Sequence, residues 1–362
     1  MNYKKFTLIF MLIIISFVTF NFLTWNFATK YILERHNDYI TGDLARIGYI
    51  TNPLHKRKNE NNLTKQHFEI NDYNFQKLDM LTLGDSFSNG AGGGLNRYYQ
   101  DYIATYQDWN ILNINNYKNF NDINTILILL NSGFLKKSGI RYVLYESIQR
   151  KVVDRLTMNI NFDIKSSISD INQYYNFGKN PKSQSSLTIP KQSFINNGNF
   201  KYILYNFLYN FSSNAFISKT YIAKTDKNLF SINPYNKFLF YNKEITSIHK
   251  NTQKNLKIVN SNLNILSSKL KEQGIKLIFM PAVNKYDFYN KYIINNKSNK
   301  DQFFTIFRKL KKDYIFIDTK AILFRKLKEG TKDIFYCDDT HWSYKASDAI
   351  AKHLKSLLQP EQ

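Results

Sequence analysis

Cysteine is nearly missing from this chain: Cys337 is the single one among 362 residues. That excludes an intramolecular disulfide and any metal centre built on a cysteine framework. Cys337 stands beside Asp338, and we expect it to be a small buried or near-site residue rather than a nucleophile. Acid is scarce relative to base, with 28 Asp and Glu against 50 Lys and Arg and a formal net charge of +22. Such a balance attracts phosphates, anionic lipids or acidic polysaccharides. The lysines are scattered, however, and no dense basic run resembles a nucleic-acid arm, so nucleic acid is not an expected partner. The glycine cluster Gly90-Ala91-Gly92-Gly93-Gly94 lacks the Gly-Lys-Ser/Thr that a phosphate loop needs, which argues against a nucleotide site. There is no internal repeat, and no metal or cofactor is expected.

What the chain has in quantity is apolar and aromatic, at 43% and 16% of residues. It can therefore bury a core, and global disorder is excluded. The first concentration of apolar residues follows Lys4 and Lys5 and runs from Phe6 to Trp25. About 20 apolar residues in a helix span a hydrocarbon core about 30 Å thick. The preceding lysines predict a cytoplasmic N-terminus. The bulky Phe20-Asn21-Phe22-Leu23 offers no small-x-small cleavage site, which favours an uncleaved signal anchor over a cleaved leader. The expected location is the inner membrane, single-pass, with the remaining chain outside the cytoplasm.

Beyond the span, the division reads as an anchor at 1–27, a stalk or pre-domain at 28–77, and one domain at 78–362. Strand-like runs occur at Leu78 to Leu83, Trp109 to Ile114, Ile140 to Ser147, Ile275 to Met280 and Tyr314 to Ile317. Helical patterns fall between and after them: Ile123 to Leu135, the series Leu256, Val259, Leu263, Leu266 and Leu270 closed by Gly274, then Phe303 to Leu310 and Ala346 to Leu358. Strands alternating with helices predict an α/β fold with a central, mostly parallel five-stranded sheet. Residues 151–250 break that alternation and read as an insertion, of the kind that often forms lids or substrate-binding surfaces.

Two motifs about 250 residues apart carry the chemistry. Leu83-Gly84-Asp85-Ser86-Phe87-Ser88 places a serine directly after the first strand, where open parallel sheets bind ligands. Backbone N–H groups there favour a developing oxyanion. Cys337-Asp338-Asp339-Thr340-His341-Trp342-Ser343 precedes the last helix and supplies a histidine with carboxylates two and three residues before it. The pair holds the side chains of a Ser-His-Asp triad, in which a base activates the hydroxyl and an acid orients the base. The bland alternative is an Asp-Asp pair capping the last helix, but Ser343 and Ser347 can cap it instead.

Taken together, Gly84-Asp85-Ser86-Phe87-Ser88 and Asp339-Thr340-His341-Trp342-Ser343 resemble the SGNH hydrolase-like acetyltransferases of the alginate O-acetylation (AlgJ/AlgX) type. Glu146-Ser147-Ile148-Gln149-Arg150 resembles that family's Glu-Ser-x-Glu-Arg stretch, and Pro281-Ala282-Val283-Asn284-Lys285-Tyr286 its Pro-x-x-Lys-Tyr segment. The match covers roughly 78–150 and 250–358. It implies an SGNH-hydrolase-like three-layer sandwich, a Ser86 nucleophile, a His341 base and an Asp339 acid. Ordinary SGNH esterases space the acid as Asp-x-x-His, which selects Asp338; the Asp-Thr-His-Trp form selects Asp339, the preferred reading. Here the Asp-x-His motif follows the serine, as in those esterases, and the usual glycine and Gly-x-Asn-Asp blocks are not evident. The oxyanion donors are therefore sought in the Ser86 backbone, with Arg150, Asn115 or Asn116 as the second. Arg150, Lys285, Tyr286 and Trp342 are the expected substrate-binding residues.

Three functions are open at this stage. The first is a membrane-anchored O-acetyltransferase for a surface polysaccharide, with acetyl groups supplied by a membrane-bound partner, as the resemblance implies. The second is a carbohydrate esterase or acyl hydrolase using the same triad with water. The third is a non-catalytic, tethered glycan-binding or assembly protein, since fold alone does not establish activity.

Overall fold

The computed structural model describes residues 3–34, 41–51, 62–158, 160–178, 192–232, 237–296 and 300–358. Parts of the expected stalk (35–40 and 52–61) and insertion (159, 179–191 and 233–236) lie outside the described residues.

Five strands form the central sheet: β1 Met80–Leu83, β2 Ile111–Ile114, β3 Tyr142–Ile148, β6 Lys276–Ala282 and β7 Ile315–Phe316. Their order is β2-β1-β3-β6-β7, and every pairing is parallel. β1 and β3 are buried at every position, because helices cover both faces of a parallel sheet. That is why these strands read as continuous apolar runs instead of alternating ones. One helical layer includes Tyr99–Gln107, Thr319–Lys328 and Tyr344–Leu358; the other includes Asp122–Asn131, Gln149–Leu156 and Gln253–Lys271. The α/β fold with a five-stranded parallel sheet is thus as the sequence predicts. Leu144, at the middle of β3, has no exposed surface. Leu144→Ala is expected to cost about 2–5 kcal/mol, read as a lower urea midpoint.

The fourth strand differs from its expected bounds. It runs on through Pro281 to Ala282, where Ser147 of β3 is the partner of Pro281. The predicted Ile123 to Leu135 helix is broken in two: Asp122–Asn131 ends at Ser132, and Gly133, at φ 79°, starts the short Phe134–Lys137 helix. Gly133 takes that left-handed conformation without a Cβ penalty.

The insertion holds helices and a hairpin, β4 Thr220–Lys224 and β5 Lys237–Tyr241, paired antiparallel. Alternate residues of a strand point to opposite faces. Phe238 and Phe240 of β5 accordingly pack on Tyr289 and Tyr286 of the main core, while Leu239 packs with Leu44 and Ile50. The hairpin is therefore a wedge that ties the segment 41–51 to the domain.

That segment, expected as a stalk or pre-domain, packs on the hairpin. It includes the helix Asp43–Gly48. The Gly42 N–H donates to Asp338 Oδ2 at 2.7 Å, and the Ala45 N–H to the Asp338 carbonyl at 3.1 Å. A Cβ at Gly42 would lie 2.1 Å from that carbonyl oxygen, so only glycine fits this approach.

The N-terminal apolar run forms a helix from Tyr3 to Leu33, 31 residues, long and apolar enough to cross a membrane. Its stretch Trp25–Thr29 is π-helical.

Candidate active site

β1 stops at Leu83, and the turn that follows is fixed by two acids. Glu146 Oε2, from β3, accepts the Asp85 N–H at 3.0 Å and the Ser88 hydroxyl at 2.9 Å. A Cβ on Gly84 would lie 2.4 Å from the same Glu146 oxygen. Gly84 is thus required by close approach to β3. Asp85 Oδ1 accepts the Phe87 N–H, while Oδ2 accepts the Ile148 N–H and Arg155 Nη1, both at 2.8 Å. Burial raises the Asp85 pKa, but Arg155 and the backbone donors outweigh it and hold the carboxyl below its ordinary value. Glu146 is pushed well above its ordinary value, by burial first and then by the Asp85 charge. The two carboxyls that share the turn are thus shifted in opposite directions. They hold the backbone on either side of Ser86.

The histidine loop is fixed from below. Lys285, fully buried at the start of the Lys285–Tyr289 helix, donates to the carbonyls of Tyr336, Cys337 and Asp339 at 2.8, 2.9 and 3.0 Å. All three ammonium hydrogens are thus used on the loop that carries His341.

These two supports bring the separated motifs together. Ser86 Oγ lies 2.7 Å from His341 Nε2, and His341 Nδ1 lies 2.6 Å from Asp339 Oδ1. The His341 N–H also donates to Asp339 Oδ1, at 3.0 Å. Asp338 Oδ2 accepts the Gly42 N–H, while Asp339 Oδ2 accepts the neighbouring Asp43 N–H at 3.3 Å. The carboxylate two residues before the histidine, not three, therefore meets the ring. Burial lowers the His341 pKa, but the Asp339 carboxylate more than offsets this, and the net direction is upward.

One residue was not foreseen. Asp43 Oδ1 accepts the Thr340 N–H at 2.7 Å, Oδ2 accepts the Thr340 hydroxyl, and Oδ2 lies 3.9 Å from His341 Nδ1. Burial and the charge of Asp339 push Asp43 up to about 6. Nothing in the local sequence marks Asp43, which is nearly 300 residues from its partners. Asp43, Asp339 and His341 place donor atoms within 4.8 Å of one another, as a metal site would. Hydrogen bonds to Thr340, His341 and Ser86 already account for that grouping.

A narrow recess opens beside His341, lined among others by Phe87, Gly90, Gly92, Arg97 and Trp342. Trp342, expected to bind substrate, does line it. The Phe87 ring sits 4.7 Å from the His341 ring and 4.6 Å from Trp342. The glycine cluster is here too, with the Gly92 Cβ position 3.2 Å from His341 Cβ.

Other expected site residues lie elsewhere. Lys285 and Tyr286 are buried under the loop; the Tyr286 hydroxyl donates to Asn296. Each is a packing residue here rather than a substrate ligand, because no part of it reaches the recess. Asn115 and Asn116 present their carbonyls to Tyr175 and Tyr174 and make no described contact with Ser86. Just past the end of β2 their backbone is taken up by the insertion helix Ile168–Tyr175, which carries both tyrosines. Arg150 lies with Asn284 (3.5 Å), Glu244 (3.9 Å) and the Tyr241 ring (5.5 Å).

Residues 235–362 match the family model of the SGNH hydrolase-like domain of the acetyltransferase AlgX. The recognition drawn from the motifs is the same family. The matched segment contains the His341 loop, Lys285 and the last helix. No curated protein matches this chain. Among solved structures, a lipase from a goat rumen metagenome aligns at 13% identity and a TM-score of 0.36, over 77% of this chain and 97% of its own. A likeness at that level carries no further argument. The family model matched by residues 235–362 supports hydrolase or acyltransferase chemistry.

Proposed function

We propose that this protein is a membrane-anchored O-acetyltransferase acting outside the cytoplasm on a cell-surface polysaccharide, through an acyl-serine intermediate. The observation that carries the reading is the continuous chain Ser86–His341–Asp339, with both links under 3 Å.

In this reading the Ser86 oxygen attacks the donor's acyl carbonyl while its proton passes to His341 Nε2. Asp339 stays ionised, holds the ring's tautomer and stabilises the imidazolium. The leaving group takes the proton from His341, and the acyl-serine remains. A sugar hydroxyl then gives its proton to His341 and attacks the acyl carbon, and His341 passes that proton to Ser86 Oγ as the acyl–serine bond breaks. The Ser86 backbone N–H is the first oxyanion donor. The acetyl donor is supplied at the membrane by a partner. The two lysines before the apolar helix keep the N-terminus cytoplasmic.

The test is to give the purified full-length chain an activated acetyl ester with an acidic oligosaccharide and to follow the acetyl group by mass spectrometry. Acetylated oligosaccharide is the expected product. Free acetate alone would make the protein an esterase, and no Ser86-dependent turnover would leave a glycan-binding protein.

Asp43 gives a second check. Its negative charge favours the protonated ring, so Asp43→Asn is expected to lower the His341 pKa. The neutral base then persists to lower pH, and the acidic limb of kcat/KM moves down, on the order of one pH unit. An unmoved limb would show that Asp43 serves only to hold Thr340.

A further inference from the structure

We infer that the helix Asn197–Leu208 lies in the plane of the bilayer surface, its outer stripe inserted among the acyl chains, so that the domain is seated on the membrane as well as tethered to it. The inference rests on the reading of Tyr3–Leu33 as a membrane span.

The helix is inverted relative to a globular one. Phe200, Ile203, Leu204, Phe207 and, just beyond its end, Phe211 fall at helical spacing, and all are exposed; Phe207 is 61% and Phe211 67% accessible. The polar side faces inward. Asn206 Nδ2 donates to the Tyr49 carbonyl at 2.9 Å, the Tyr205 ring packs on Tyr49, and the Tyr209 hydroxyl donates to Ser218 at 2.9 Å. A helix on a water-soluble surface turns its apolar stripe to the core. The reverse arrangement needs an apolar medium outside, which is the situation of helices lying at a membrane interface. A contiguous exposed apolar patch of this kind marks an interaction surface.

The lipid is favoured as occupant because the patch is continuous with the span. Phe200 packs on Phe20, with ring centroids 4.9 Å apart, and on Phe17 at 6.2 Å. Asn199 Nδ2 donates to Asn21 Oδ1 at 2.8 Å, and the Thr29 hydroxyl donates to Asn199 Oδ1. The buried Asn199 thus satisfies the polar side chains at the far end of the span and fixes the helix beside it. Residues 192–219 contain Lys201 and Lys219 but no Asp or Glu, which suits an anionic lipid surface. The ten residues from Leu33 to Asp43 can bridge at most about 35 Å. The active-site recess is then held near the membrane, where an acyl donor embedded in the bilayer can reach it.

The test uses the full-length chain in vesicles of phosphatidylethanolamine and phosphatidylglycerol containing doxyl-labelled lipid. Single cysteines, Phe207→Cys, Phe211→Cys, Ile13→Cys and, as a solvent control, Leu357→Cys, carry an environment-sensitive fluorophore. The native Cys337 is buried and does not compete for label. Emission at positions 13, 207 and 211 is expected to fall by roughly half, as for groups about 5–10 Å or more below the lipid surface. Emission at 357 should not change. Quenching at 13 without quenching at 207 and 211 overturns this inference alone, and identifies a second copy or a protein partner as the cover. No quenching at 13 overturns the anchor reading, and this inference with it.

Discussion

Ser86→Ala is expected to remove acyl transfer almost completely, with kcat falling by about 10⁴–10⁶ while the far-UV spectrum and urea midpoint stay unchanged. The hydroxyl oxygen is the only atom lost, and it is the atom 2.7 Å from His341 Nε2. His341→Ala should cost a similar factor, because the two act as one unit and their losses do not add. The aspartates give the sharper result. Asp339→Asn keeps the shape but removes the charge that fixes the ring, and should lower kcat by about 10⁴. Asp338 Oδ2 accepts the Gly42 N–H, whereas it is Asp339 that bonds the ring, so Asp338→Asn should act chiefly on stability.

The pH profile separates these cases. The neutral ring is the active base, and its folded pKa lies above the ordinary value. Activity should therefore be present at high pH and lost as pH falls through that raised value. Removing the Asp339 charge lowers the pKa, so the residual activity of Asp339→Asn should persist to lower pH. Unchanged turnover in Ser86→Ala would remove the serine mechanism altogether.

Lys285→Met should be the most damaging change outside the triad, destabilising the fold by about 3–5 kcal/mol. The ammonium is fully buried and bonded to three carbonyls of one loop. Burial depresses its pKa, while the neighbouring acidic groups Cys337, Asp338, Glu244 and Asp339 oppose that depression. Methionine fills a similar volume but leaves the three acceptors without donors in a dry environment, where each has an appreciable cost. Because the loop carries Asp339 and His341, activity should fall further than the folded fraction does. Lys355→Met, at an exposed position of the last helix, should change stability by less than about 0.5 kcal/mol. Urea titration of both variants, with turnover measured where each is fully folded, checks the claim. Equal stability of the two would mean that the loop does not depend on Lys285.

Much of the framework was legible because it is written in local periodicity. The apolar run after Lys5, the core strands and the Leu256–Leu270 stripe each declare themselves within a window of about 20 residues. Ser86 at the end of β1 and His341 before the last helix were legible for the same reason: each lies at the edge of an element whose type is locally evident. The tyrosine- and asparagine-rich insertion was not legible. β5 is wedged between two packing surfaces, with Phe238 and Phe240 on one side and Leu239 on the other, so it shows no alternation of apolar and polar residues.

The sequence by itself determined that a membrane-length helix precedes an α/β domain, and that a serine and a histidine stand at turns beside its sheet. Only the tertiary structure decided which aspartate meets the ring, because Asp338 and Asp339 are adjacent and only their bonds, to Gly42 and to His341, tell them apart. It also decided that Asp43 joins the site and that Lys285 is a buried pin rather than a substrate ligand. The spacing 200, 203, 204, 207 and 211 announces an apolar face but is silent on whether that face meets the core or the outside. Each of these outcomes depends on groups far apart in the chain. A local pattern fixes what an element is, whereas what it touches is fixed by the packing of the whole.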